Sequence, residues 1–339
     1  MKKAFIPYMV VAVALLGVLL AAVRPWGGWE ESTHTEFLMD TVVKSIVFTR
    51  ETRQGQRALE EAYREMFRLE SLLDRHLPTS EVSQVNLAAG REPVPVSAET
   101  LSVISRGLDF GVLTGGAFDI TVAPLLRLWG FGDGEGRLPP QERLEAAVEL
   151  VDFRQVVADG VAGSVYLRQS GAEMDLGGIA KGFIVDRATE VLLQAGVTSA
   201  SVDAGGDIRV IGSKPDGSAW RIGVRHPRER RKILAVLELR DSAVVTSGDY
   251  ERYFMVAGTR YHHLLDPRTG RPARGLTSVT VVAPDAVTAD ALSTAVFVLG
   301  RDRGLALIES WPGVEAILVT EELEVLLSSG LAGKVAVSP

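Results

Sequence analysis

The 339-residue chain contains no cysteine. A chain without thiols has no thiolate nucleophile and no disulfide, and it cannot hold structural zinc or an iron–sulfur cluster through sulfur. Any bound metal is therefore held by oxygen or imidazole. The chain also lacks a basic excess, because 36 Lys and Arg stand against 43 Asp and Glu and give a net charge of -7. This balance argues against a nucleic acid partner.

A long apolar run lies at the amino terminus, over residues 5–23, after Lys2 and Lys3 and before Arg24. Such a run predicts either a cleavable secretory signal or an uncleaved membrane anchor with a cytoplasmic amino end. The run is longer than a usual signal-peptide core, so we favour a single-pass anchor over residues 1–24. The rest of the chain is then expected on the extracytoplasmic face, periplasmic or extracellular.

The remaining chain is expected to form one globular part over residues 37–339, after a linker over residues 25–36. Strand patterns and helix patterns do not alternate regularly, which favours an α+β fold with mixed or antiparallel sheets and packed helices. We predict helices over 54–74, 98–113, up to about 194, 286–299 and 302–309, with short β-branched strands between them.

The segment "MDLGGIAKGFIVD" starts at Met174 and combines a carboxylate, paired glycines and a lysine. It has neither the residue order of a P-loop nor the spacing of a dinucleotide fingerprint. The glycines still allow a ligand close to the backbone, and Lys181 adds a positive charge beside the N–H groups that begin a helix. Alone, the segment is equally consistent with a ligand site and with a tight strand-to-helix corner.

The segment "DAGGDIRVIG", from Asp203 to Gly212, carries two acids around a glycine pair at a strand end. Glycine pairs in a strand pattern mark close backbone approach or a bulge. A structural role and a ligand contact are equally consistent with this segment.

The segment "YHHLLDPRTGRPA" carries two adjacent histidines. Alternation along a strand puts His263 and Leu265 on one face and His262 on the other, so one histidine should face a site or the core and the other solvent. Asp266 opens a turn and is a natural turn acceptor. In isolation, a structural histidine is the favoured interpretation.

The segment "TADALSTAVFVLG" places Asp290 and Thr294 four residues apart. On a helix the two share a face, where they can offer a carboxylate and a hydroxyl oxygen to one ion. With a backbone carbonyl, they form an oxygen set suited to magnesium. By itself, the pair is more commonly a helix acid and a helix threonine without a metal.

Eight segments in one order make a more specific combination than any of them alone. They are "FLMDT", "SEVSQVN", "GGAFDIT", "MDLGGIAKGFIVD", "DAGGDIRVIG", "TSGDYERYF", "HLLDPRTGRP" and "ADALSTAVFVLG". With them the chain resembles the ApbE family, the FAD:protein FMN transferases, from about Phe37 to its end. The resemblance implies a two-lobed, T-fold-like catalytic domain.

The resemblance also implies an activity. Members are extracytoplasmic enzymes that use magnesium to cleave the FAD pyrophosphate and attach FMN by a phosphoester to a threonine of an acceptor protein, releasing AMP. Acceptors such as subunits of membrane redox complexes are expected. Two alternatives stay open: a magnesium-dependent FAD pyrophosphatase that gives free FMN and AMP, and a non-catalytic, membrane-tethered flavin-binding protein.

Site residues follow from the resemblance in the same way. It implies magnesium ligands in Asp290, Thr294 and the carbonyl of Gly178. We hypothesise that His263 is the general base, because its ordinary pKa suits a proton acceptor near neutrality, with Asp266 as the rival. FAD contacts are implied for Met39, Ala117, Phe118, Asp119, Asp175, Lys181 and Leu265.

One position departs from the family pattern. Members commonly carry a tyrosine in a "TYxPxSE" setting, whereas this chain has "DRHLPTSE" with His76 at that place. We predict a contact between His76 and FAD through a ring that is smaller and titratable.

Overall fold

The computed structural model describes residues 27–131 and 136–337. The predicted anchor, residues 1–24, lies outside these ranges. Within them, the structure contains no helix that combines the length and the apolar character needed to cross a membrane.

The described residues contain fifteen strands, eight α-helices and one short 3₁₀ helix, Phe153–Gln155. The strands are β1 Glu30–Leu38, β2 Thr41–Thr49, β3 Val94–Pro95, β4 Val156–Asp159, β5 Ser164–Leu167, β6 Ala200–Ala204, β7 Asp207–Ile211, β8 Trp220–Arg225, β9 Ile233–Leu239, β10 Ser242–Gly248, β11 Tyr253–Val256, β12 Thr259–His262, β13 Leu276–Ala283, β14 Glu315–Thr320 and β15 Val325–Leu327. The helices are α1 Thr52–Leu73, α2 Glu81–Leu87, α3 Ala98–Leu113, α4 Ala123–Trp129, α5 Gln141–Val148, α6 Ala180–Gln194, α7 Ala286–Leu299 and α8 Arg301–Glu309.

The main sheet has eight strands in the order β1-β2-β6-β7-β10-β13-β14-β15. Every neighbouring pair in it is antiparallel. Smaller sheets pair β8 with β9, β11 with β12, and β3 and β4 with β5. The predicted α+β class is therefore confirmed, in its antiparallel form.

The first strand corrects the predicted domain boundary. β1 begins at Glu30, inside the segment interpreted as a linker over 25–36, so the globular part starts before Phe37. The strand lies at the edge of the sheet, and apart from Ser32 and Leu38 its side chains are not fully buried. An edge strand with so few buried residues carries no apolar alternation, which is the signal that identifies a strand in a sequence.

Both faces of the main sheet are covered. In β10, Ala243 and Val245 pack with the helices, whereas Val244 packs with Trp220 under the β8–β9 hairpin. This alternation is the period-two geometry of a strand, and it explains why the run from Ala243 to Val245 is apolar on both faces. On the helical face, α1 presents Met66 and Leu69, both fully buried.

A smaller apolar cluster around Trp129 packs against the β11–β12 hairpin. Trp129 is buried and donates its indole N–H to the carbonyl of Gly270 at 2.7 Å. Its ring stacks on Tyr261 with 5.6 Å between centroids, and Phe254 stacks on the same tyrosine at 5.5 Å. The cluster holds the β11–β12 hairpin, and so sets the position of His263, which follows β12.

Candidate active site

A cavity of about 580 Å³ opens where one end of the main sheet meets the helices. It lies among the β1–β2 turn, the β6–β7 turn, the end of β10, the start of α6 and the inner face of α7. This volume is within the range of small-molecule and cofactor sites.

The cavity brings together every predicted site residue except Asp266. The residues that line it include Met39, His76, Ala117, Phe118, Asp119, Asp175, Gly178, Lys181, His263, Leu265, Asp290 and Thr294. Their chemical roles stay predictions. His76 is exposed at the mouth, with its backbone N–H on Asp74 Oδ1 at 2.8 Å.

Helices α6 and α7 cap each other at their amino ends. The N–H of Gly182 donates to Asp290 Oδ2 at 3.0 Å, and Asp186 accepts from the N–H groups of Ala286 and Val287 at 2.8 and 2.9 Å. A Cβ on Gly182 would lie 2.3 Å from the carbonyl oxygen of Ala286, so only glycine allows this approach. The two helices are thereby locked in register, and Asp290 is fixed at the cavity wall.

Asp290 is buried and carries a perturbed carboxyl group. Burial, followed by the negative charge of Asp207, raises its pKa to about 8. Lys181 and the Gly182 N–H act in the opposite direction but do not offset the burial. A cation bound nearby would therefore strongly favour the ionised form of this carboxyl group.

The oxygen atoms around Asp290 fit a hard divalent cation. No hydrogen bond among the described residues reaches Asp290 Oδ1, and Thr294 follows one turn later on α7 with Oγ1 3.4 Å from Ser247 Oγ. The described part of the chain has no cluster of three or more His, Cys, Asp and Glu that could hold a metal. A magnesium ion would therefore rely on one carboxylate, a hydroxyl and backbone oxygen, with water or phosphate completing its shell.

Gly178 lies against the same helix face. A Cβ added there would be 3.2 Å from the Phe118 ring and 3.4 Å from Thr294 Oγ1. The absence of a side chain lets the glycine backbone approach Thr294, as a carbonyl ligand at this position requires.

A half-buried ion pair lies beside this oxygen set. Lys181 Nζ is 2.9 Å from Asp207 Oδ2, and no other group among the described residues donates a hydrogen bond to this oxygen. Burial lowers the pKa of Lys181, but the charges of Asp207 and Asp290 outweigh it and leave the pKa raised. Sequence reasoning treated Asp207 only as part of an ambiguous glycine segment.

The two histidines after Arg260 have different surroundings. His262 is buried, places Nε2 3.0 Å from the carbonyl oxygen of Ala273, and meets the Phe297 ring edge-on at 5.4 Å. His263 lines the cavity and is half-buried, with Nδ1 3.2 Å from the carbonyl oxygen of Arg252. A carbonyl only accepts, so Nδ1 carries the proton and Nε2 is the free acceptor. One histidine therefore faces the core, and the other lies partly exposed at the cavity.

Both histidines have a pKa below the ordinary value of 6.5. Burial, followed by the charge of Arg252, lowers its pKa to about 3, and burial lowers that of His262 to about 4. Both rings are therefore neutral at physiological pH, and His263 Nε2 has its lone pair available.

Two predicted carboxylates have their oxygens committed to the protein. Asp266 pairs with the Arg268 guanidinium at 2.8 Å, accepts the Arg268 N–H at 3.0 Å, and does not line the cavity. Asp119 lines the cavity but is buried, with Oδ1 accepting from Thr121 and Oδ2 from the N–H of Phe153. Both carboxylates therefore hold loops.

Asp175 has a partner that the sequence did not indicate. Its Oδ1 accepts the N–H of Gly177 at 2.7 Å, and its Oδ2 pairs with the Arg75 guanidinium. Arg75 lies 100 positions earlier, in the loop after α1, and also lines the cavity. The pair joins this loop to the glycine turn before α6.

The turn between β1 and β2 has unusual backbone conformation. Met39 and Asp40 have φ of 54° and 56°, a left-handed region that non-glycine residues rarely adopt. Two such residues in a two-residue hairpin correspond to a turn that normally uses Asn-Gly. The N–H of Met39 donates to Glu70 Oε1 at 2.6 Å, which holds the turn at the cavity edge.

Comparison with known proteins assigns the chain to a family. A protein-family model described as "ApbE family" matches residues 39–318. The chain belongs to the ApbE family. The resemblance inferred from the eight sequence segments is therefore confirmed.

Curated ApbE relatives cover most of the chain. A protein of Treponema pallidum called FAD:protein FMN transferase is 35% identical over 96% of this chain and 95% of its own length. A protein of Klebsiella pneumoniae with the same description is 36% identical over 77% of this chain and 82% of its own.

Solved ApbE structures share the fold. A crystal structure of the ApbE protein of Thermotoga maritima has a TM-score of 0.83 at 38% identity, covering 89% of this chain and 98% of that one. The apo flavinyl transferase ApbE of Pseudomonas stutzeri has a TM-score of 0.81 at 31% identity, covering 89% and 96%.

Proposed function

We propose that the chain is a magnesium-dependent FAD:protein FMN transferase. It cleaves the pyrophosphate of FAD, attaches FMN through a phosphoester to a threonine of an acceptor protein, and releases AMP. The observation that carries the proposal is one cavity in which Lys181 and the start of α6 stand beside the oxygen set of Asp290 and Thr294. The name shared by the family relatives supports the flavin and the acceptor.

The glycine turn and Lys181 bind the pyrophosphate in this proposal. The turn at Gly177 and Gly178 leaves room for a ligand at the backbone, and the first N–H groups of α6 favour an anion. When bound to Asp290, Thr294 and the Gly178 carbonyl, magnesium neutralises charge that develops on the phosphates. Arg75, paired with Asp175, also lines the cavity wall.

His263 takes the proton in the transfer step. The threonine oxygen of the acceptor forms a bond to the FMN phosphorus, and the bond from that phosphorus to the oxygen shared with AMP breaks. The leaving oxygen keeps the electron pair, and the threonine proton moves to Nε2 of His263. The pKa of about 3 describes the ring beside Arg252 without anions, and bound phosphates would raise it.

The proposal includes a place in the cell. The predicted anchor over residues 1–24 would hold a two-lobed, T-fold-like domain on the extracytoplasmic side of the membrane. Subunits of membrane redox complexes whose target threonine faces the same compartment are the proposed acceptors. Mass spectrometry of such a subunit co-expressed with the full chain tests this, and a subunit without covalent flavin would contradict it.

The decisive experiment follows the product. The purified chain is incubated with FAD, magnesium chloride and a co-expressed acceptor, and covalent flavin is detected by in-gel fluorescence after denaturation. An acceptor with the target threonine changed to alanine is the control. Free FMN with an unlabelled, competent acceptor would indicate a pyrophosphatase, and FAD binding without turnover would indicate a binding protein. A chelator should abolish transfer.

A further inference from the structure

Three charged side chains share the floor of the cavity: Asp207, Lys181 and Asp290. Lys181 Nζ lies 2.9 Å from Asp207 Oδ2. Within the described ranges, no ion pair of 4 Å or less joins Lys181 to Asp290. The lysine is thus paired with one of two nearby carboxylates and not with the other.

Asp207 is an unusual partner for a lysine because it is otherwise unsupported. Only 3% of its side chain is exposed, and apart from Lys181 no group in the described residues pairs with Oδ2. Asp203, on the preceding strand, is different because it accepts the N–H of Gly206 at 2.8 Å and holds the turn. Asp207 therefore contributes no turn contact that would account for its burial.

The pairing of Lys181 affects Asp290 through competition. A lysine ammonium on a flexible four-carbon stem can turn toward whichever carboxylate is near. Without Asp207, the strongest remaining attraction on Lys181 comes from Asp290, which is the second charge that acts on it. An ammonium group paired with Asp290 would compete with a divalent cation for the same carboxylate.

We propose that Asp207 is a positioning residue that anchors the ammonium of Lys181 and thereby leaves the carboxylate of Asp290 free for a divalent cation. The inference rests on the magnesium dependence of the proposed function. Asp207 acts through Lys181, and it need not touch the metal or the substrate.

The test measures magnesium binding directly, apart from activity. Asp207→Asn, Lys181→Met and the double variant are titrated calorimetrically with magnesium chloride alone. The magnesium concentration for half-maximal FMN transfer is measured as a second readout. Asp203→Asn is the matched control, because it removes one nearby negative charge without freeing Lys181. Thermal unfolding of each variant checks the fold.

The double variant distinguishes the possible roles of Asp207. We expect Asp207→Asn to weaken magnesium affinity about ten-fold or more, the usual scale for a group that supports a metal ligand. Removing the lysine as well should restore affinity to the wild-type value or above, because no ammonium then competes for Asp290. A double variant as weak as Asp207→Asn would overturn the proposal, since the charge of Asp207 would then act on the metal directly.

Other outcomes also test the inference about Asp207. Unchanged affinity in Asp207→Asn, or an equal loss in Asp203→Asn, overturns the inference while leaving the transferase proposal intact. A wild-type chain that binds magnesium but transfers no FMN contradicts the proposed function, and the inference is then judged by calorimetry. A wild-type chain that binds no magnesium contradicts both.

Discussion

Asp186 and Asp290 each accept hydrogen bonds from N–H groups at the start of a neighbouring helix, but they differ in how many partners the protein supplies. Asp186 accepts from two N–H groups at the start of α7 and pairs with Arg209, so the protein satisfies its carboxylate. Asp290 accepts from one N–H group of α6 and has no arginine partner in the described structure. The first carboxylate joins the helices, and the second also joins them but keeps an oxygen for the cavity.

The adjacent histidines differ in their location. His262 is held between Ala273 and the Phe297 ring inside the core. His263 has one nitrogen on the Arg252 carbonyl and the other available at the cavity. Residue type alone does not separate structural from functional groups here. His262 leaves Nδ1 without a hydrogen-bond partner among the described residues but buries it in the core, whereas the available nitrogen of His263 lies at the cavity.

The largest expected effect is on the cavity carboxylate. Asp290→Asn should reduce FMN transfer about 10³-fold, because a metal supplies several kcal/mol of charge stabilisation and each 1.4 kcal/mol is tenfold in rate. The metal-free variant should unfold at the wild-type temperature or above, since an amide still accepts from Gly182 and carries no buried charge. Steady-state transfer and thermal unfolding measure the two effects. Asp285→Asn, an N-cap of the same helix, is the control and should transfer normally.

The satisfied carboxylate should show the opposite pattern. Asp186→Ala should lower the free energy of unfolding by about 3–4 kcal/mol, because it leaves Arg209 without its partner and uncaps α7. Urea denaturation measures this, and transfer at low temperature should stay close to wild type. Glu190→Ala, exposed on the same helix, should cost almost nothing. Equal losses of unfolding free energy in Asp186→Ala and Glu190→Ala would contradict this prediction.

The core histidine should make the protein sensitive to acid. The pKa of His262 is lowered from 6.5 to about 4, so below pH 6.5 the unfolded chain binds a proton that the folded chain does not. Stability must then fall as the pH falls from about 6.5 to about 4. His262→Gln should reduce that fall by about 3 kcal/mol, at 1.36 kcal/mol per pH unit. Denaturation curves at several pH values measure this, with His34→Gln as the control. If the stability of both variants falls with pH as in wild type, the prediction is contradicted.

The cavity histidine should affect rate more than stability. His263→Gln should slow FMN transfer about 10²-fold, the lower range for loss of a general base. Asp266→Asn should have a smaller effect, because that carboxylate is paired with Arg268 outside the cavity. Initial rates at saturating FAD and magnesium give the comparison. A fully active His263→Gln enzyme would remove the histidine from the role of base.

Much of the fold could be predicted from local pattern. The helix over 98–113 has the predicted bounds, with the Ser97 side chain accepting the Thr100 N–H as an N-cap. The short helix Gln141–Val148 and the edge strand from Glu30 were missed, since they bury few residues and so have weak periodicity. The candidate site was predicted by resemblance, and its motifs taken singly left alternatives open.

The sequence by itself determined the α+β class, the amphipathic elements and the exclusion of thiol chemistry, because composition and periodicity are local properties. The residues at the cavity were implied by the family resemblance. Only the tertiary structure decided which polar groups are satisfied. Arg75 neutralises a carboxylate 100 positions away, and Gly182 binds one 108 positions away. Hydrogen-bond partners separate Asp290 from Asp186, and access to the cavity separates His263 from His262, because both depend on distances in three dimensions.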